Sequence, residues 1–69
     1  MSCEVKVRLA SEYEAATAAF SRAVAELHRN IGTSTKEEYE SLCRLSNDAR
    51  VKSEQARLAL EQHTAEHRC

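Results

Sequence analysis

Four side chains in this 69-residue chain could bind a metal or form a covalent link, and a simple fold would bring them together: Cys3, His63, His67 and Cys69. His63 and His67 are four residues apart, so on a helix they sit one turn apart on one face. Two thiolates and two imidazoles are the ligand set of a structural zinc site, and an (i, i+4) histidine pair is a fitting half of one. The two cysteines alone suggest other chemistry. A Cys3–Cys69 disulfide would close nearly the whole chain into a loop and, in the chain-entropy picture, stabilise it by about 4 kcal/mol. Zinc lacks the paired-cysteine half of a zinc finger. The disulfide needs an oxidising compartment, for which the sequence carries no signal. The plainer reading is that His63 and His67 complement the carbonyl end of a helix. The expectation is therefore no cofactor, with zinc as the one alternative.

Other chemistry is sparse. Carboxylates are plentiful, but they fall at helical surface spacings beside basic partners. His28 has no serine or cysteine placed to act as a nucleophile. A narrow, alanine-lined seam leaves no room for a substrate. Gly32 stands alone without the lysine of a phosphate-binding loop. Cys43, on the edge of the inner stripe of the second helix, reads as a small buried hydrophobe. No enzyme is expected.

The elements that must position these residues are two helices. The chain has one glycine, no proline and only three aromatic residues, Tyr13, Phe20 and Tyr39. Alanine, glutamate, arginine, leucine and serine dominate, as in long helices. The length allows a single domain, 1–69. The net charge of −1 gives no global pull toward nucleic acid or an anionic membrane. No apolar run could span a bilayer, and the first residues lack the apolar core of a signal peptide. A cytoplasmic location and no membrane partner are expected.

One turn is predicted over 32–35. Gly32 supplies the positive φ that ends a helix, after His28 and Arg29 in the last turn. Thr35-Lys36-Glu37-Glu38 matches a capping box, with Thr35 accepting from the Glu38 amide; Ser34 with Glu37 offers the same box one residue earlier. A stop and a start this close imply antiparallel neighbours. The first helix should cover about 4–31 and the second about 36–67.

In the first helix Leu9, Tyr13, Ala16, Phe20, Ala23, Leu27 and Asn30 recur at spacings of four and three, with Ala10, Thr17, Val24 and Ile31 widening the stripe. Glu4 to Leu9 alternates with period two, but no second strand exists to pair with it, and Glu4 can pair with Arg8 on a helix. The second helix offers Tyr39, Leu42, Ser46, Ala49, Ser53, Ala56, Leu60, His63 and His67. Its outer face repeats Lys36, Glu40, Arg44, Asp48 and Lys52, a ladder of alternating charge. Folding at the turn places residues whose numbers sum to about 66 opposite one another, so bulky residues of one helix meet small residues of the other. Position 3 then comes close to position 63. Val51 and Leu58 fall on the outer face. They are ordinary surface residues or part of a weaker second contact surface.

In outline, with this length, one tight turn and an expected four-helix dimer, the chain resembles the Rop family of RNA-binding hairpins. The resemblance is architectural; no motif matches and no functional residue carries over. It implies binding of structured RNA across a bundle face. Arg50 and Arg57 lie seven apart on one flank, with Arg44 and Lys52 elsewhere on the same helix. Near-neutral charge and interleaved glutamates weigh against strong phosphate binding.

Size decides the main expectation. Below about 70–80 residues one core seldom supplies more than about 3–5 kcal/mol, and here much of the seam is alanine and serine. The sequence thus reads as all-α: two long antiparallel helices in a hairpin that forms a four-helix bundle or coiled-coil-like assembly as a homodimer. The expected role is a small interaction or assembly module, self-associating or taking a protein partner on a helix face. Leu9, Tyr13, Phe20, Val24, Leu27, Tyr39, Leu42, Ala49, Ala56 and Leu60 are the expected core and interface. The alternatives are a Rop-like RNA-binding dimer and a hairpin stapled at its open end by zinc or a disulfide.

Overall fold

The computed structural model describes residues 3–67. They form two helices, α1 from Glu4 to Asn30 and α2 from Lys36 to His67, with no strand among the described residues. The helices pack against each other along their length, in a rod with extents of 52 × 15 × 11 Å. At ~1.5 Å rise per residue, 32 residues account for most of that length. The period-two pattern at the start of α1 does not override helix. A lone strand would leave its backbone groups unpaired, whereas the helix begins at once with the Val7 amide donating to the Cys3 carbonyl at 3.1 Å.

The turn forms as its residue types require. Gly32 has φ +82°, a conformation costly for any residue with a Cβ. The Asn30 carbonyl accepts from the Thr33 and Ser34 amides at 3.3 and 3.2 Å and from the Ser34 hydroxyl at 2.8 Å. The Asn30 side-chain Nδ2 donates back to the Glu26 backbone carbonyl at 2.8 Å. Of the two possible N-caps, the one at Thr35 forms: the Glu38 amide donates to Thr35 Oγ1 at 3.1 Å.

Leu9, Tyr13, Ala16, Phe20, Ala23, Val24 and Leu27 of α1 are half-buried against Leu42, Ser46, Ala49, Ser53, Ala56 and Leu60 of α2. The helices meet close to the expected register. Cys3 reaches His63, numbers summing to 66, and Thr17 Oγ1 lies 3.4 Å from Ser53 Oγ, summing to 70.

Several details depart from the sequence reading. Tyr39 lies outside the seam, 39% exposed, and His67 is exposed as well. Ala10 and Ile31 do not widen the α1 stripe; they are exposed, as is Thr17 although its hydroxyl reaches Ser53, while Ala19 and Glu26 on the other edge are half-buried. The seam has rotated by a fraction of a turn, as a straight helix of 3.6 residues per turn must when read against a seven-residue pattern. Arg8 pairs with Glu12 at 3.8 Å rather than with Glu4. The ladder from Lys36 to Lys52 closes no ion pair within itself; the pairs of α2 are Arg50–Glu54 at 2.8 Å and Arg57–Glu61 at 2.9 Å.

No described residue is fully buried. Two helices share one line of contact, and every side chain on that line keeps an edge in solvent.

Candidate functional site

Two places concentrate unusual features. The first is the open end. Helical spacing puts His63 on the seam face of α2, and the hairpin register delivers Cys3 to it: Cys3 Sγ and His63 Nε2 are 3.0 Å apart. The His63 and His67 rings stack one turn apart, with centroids 4.6 Å apart and planes tilted by 34°. Cys3 is disulfide-bonded, and its sulfur becomes a thiolate able to bind zinc only on reduction. Cys43 is a free thiol. Cys69, the fourth member of the expected zinc set and the expected disulfide partner, lies outside the described residues. Among the described residues no group of three metal-binding side chains converges.

The second is a groove of about 360 Å³ midway along one side of the hairpin. It is lined by Ala16, Ala19 and Ala23 of α1 and by Leu45, Asp48, Ala49 and Lys52 of α2. Its floor is apolar because alanines recur at spacings of three and four along one edge of α1, opposite the seam residue Ala49. Leu45 stands at its edge with 58% of its surface exposed. Asp48 and Lys52, one turn apart, supply one charge of each sign. The sequence reading placed these two on a solvated ladder and did not include Ala19 or Leu45 in an interface. The alanine spacing was visible, but which edge of α1 would adjoin which edge of α2 was not.

The flank expected to attract RNA is internally neutralised. Arg50 donates to Glu54 at 2.8 Å and to Asn47 at 2.9 Å, and Arg57 donates to Glu61 at 2.9 Å. Each guanidinium thus meets a carboxylate of its own helix, which competes with phosphate.

Two acid–base groups are perturbed. The Arg29 guanidinium, by hydrogen bond and then by charge, holds the Glu26 carboxyl below its ordinary 4.5. On the free side of α2, hydrogen bonding with Cys43 one turn on, then its charge, raises the Tyr39 phenol above its ordinary 10.0. Each shift arises within a single helix, and neither group faces an enclosed cavity that would hold a substrate.

No protein-family model matches the chain, and no curated protein and no solved structure matches it significantly. The Rop resemblance therefore rests on outline alone. No described helix is long and apolar enough to cross a membrane.

Proposed function

We propose that this chain is a non-catalytic assembly module that works by pairing with a second copy of itself, two hairpins making a four-helix bundle in the cytoplasm. One observation carries the reading: in the single hairpin no described residue is buried. Folding must offset about 1–2 kcal/mol of backbone entropy per residue, and half-buried leucines and alanines recover only part of their transfer free energy. Exposed Val7, Ile31, Leu45 and Leu58 add apolar area that a second chain can cover. A melt followed by circular dichroism tests the proposal. A self-associating module melts at a temperature that rises with protein concentration; a melt independent of concentration, with a monomer mass by sedimentation, overturns it.

A second reading is favoured by the oxidised Cys3 and its contact with His63. In an oxidising compartment the hairpin is stapled at its open end and needs a partner less, because a cross-link lowers the entropy of the unfolded chain. Comparing the melt with and without reductant separates the two. The module reading predicts a midpoint that depends on concentration in both states. The staple reading predicts one that depends mainly on reductant.

A further inference from the structure

We propose that the alanine groove is the self-docking face: a second copy lies on it antiparallel, about a twofold axis that crosses the groove side of α2 midway between Asp48 and Lys52, so that Asp48 of each copy meets Lys52 of the partner subunit. The inference rests on the self-association reading above and adds to it the face, the direction and the charge pair.

Three observations select this arrangement. The first is charge. Asp48 and Lys52 both line the groove and have opposite sign one helical turn apart. A twofold contact brings the same patch of both copies together, and it is self-complementary only if every charge meets its opposite. An axis midway between residues 48 and 52 achieves this for antiparallel α2 helices: residue i faces 100 − i, and Asp48 faces Lys52 twice. A parallel pairing of the two α2 helices in register would set Asp48 against Asp48. Neither residue forms an ion pair within its own chain among those found. The opposite edge of the seam is different, since Arg50 and Arg57 there already hold Glu54 and Glu61.

The second is overlap. With the hairpin register between 66 and 70, an axis at residue 50 of α2 crosses α1 between about residues 16 and 20. These positions lie close to the middles of α2 and α1, which span Lys36–His67 and Glu4–Asn30. Two rods 52 Å long then overlap over nearly their whole length. Ala16 and Ala19, which line the groove at this level, let the α1 backbones approach closely.

The third is area. The chain exposes 5371 Å², whereas a compact monomer of 7.8 kDa exposes about 4,400 Å². The excess, roughly 1,000 Å², matches the ~800 Å² that each partner contributes to an interface of standard size. One long face laid on its copy is the simplest way to remove it.

The test is charge exchange followed by sedimentation equilibrium. Asp48→Lys places lysine against Lys52 of the partner subunit at both contacts, and Lys52→Asp places aspartate against Asp48. Each variant alone should dimerise at least about tenfold more weakly than the parent chain, because like charges are juxtaposed. Mixed in equal amounts, the two should recover a heterodimer of near-parental affinity, which also shows that both fold. Arg50→Glu, a charge change of the same size on the other flank, should leave dimerisation within about threefold, as a rim change does. If the parent chain dimerises but the two variants do so equally well, or their mixture recovers nothing, the face and direction proposed here are wrong while self-association stands. A parent chain that stays monomeric overturns both.

Discussion

Cys3 and His63 are separated by 60 residues in sequence and by 3.0 Å in space, sulfur to Nε2. The contact fixes the register at the end of the hairpin farthest from the turn, where the seam is poorest in bulky side chains. Together with Thr35 capping α2 at the other end, it brackets the packed interval. The energetic logic of the molecule lies between those two points.

At the open end, the thiol count should report the state of Cys3. Unfolded without reductant, the chain is expected to show one reactive thiol, Cys43, and after reduction all three of its cysteines. Closing a loop from Cys3 to Cys69 would stabilise by about 4 kcal/mol, so reduction should lower the melting midpoint substantially. Three free thiols in protein purified without reductant would remove the staple from consideration.

In the middle of the seam, Phe20→Ala removes the only phenylalanine, half-buried on the α1 stripe. Loss of a core phenylalanine costs about 3–5 kcal/mol. The low end is expected for a ring that stays partly solvated in one hairpin and the high end if a second copy completes its burial. Chemical denaturation of both proteins measures it, and an unchanged midpoint would show that Phe20 packs against nothing of consequence.

At the turn, Gly32→Ala forces a Cβ into φ +82°, although nothing lies within 4 Å of where that Cβ would be. The cost is conformational, about 1–2 kcal/mol, with Gly32→Asn milder because asparagine tolerates the left-handed region. Equal melts for the alanine and asparagine variants would contradict a conformational origin.

Thr35→Ala removes the oxygen that accepts from the Glu38 amide at 3.1 Å. A lost cap typically costs about 1 kcal/mol, or roughly 4–8 °C in midpoint for a domain of this size. Thr35→Ser should restore most of the loss, since serine keeps the acceptor. A serine variant as unstable as the alanine one would assign the effect to the methyl group.

Acid should weaken the C-terminal turn of α1 through Glu26. Arg29 lowers the Glu26 pKa below 4.5 in the fold, so the unfolded chain takes up the proton first. The stabilisation is complete above the ordinary carboxyl range and is lost as pH falls below 4.5 through the lowered value. Glu26→Gln should flatten that part of the pH–stability curve and leave neutral pH little changed. The same slope in both proteins would refute it.

Helices, turn and approximate register were all legible in the sequence because their causes are local or simply additive. A 3.6-residue period, one glycine, two overlapping capping signals and the absence of proline leave a single way to fold the chain back, and the sum rule that follows carried position 3 to position 63. What the tertiary structure decided is rotational. The α1 seam turned toward Ala19 and Glu26 and away from Ala10, Tyr39 moved out to solvent beside Cys43, and one flank became an alanine groove edged by Asp48 and Lys52. A rotation of a few tens of degrees about a helix axis leaves every local hydrogen bond and propensity unchanged. It is set only when two helix surfaces interlock, so no stretch of sequence specifies it alone.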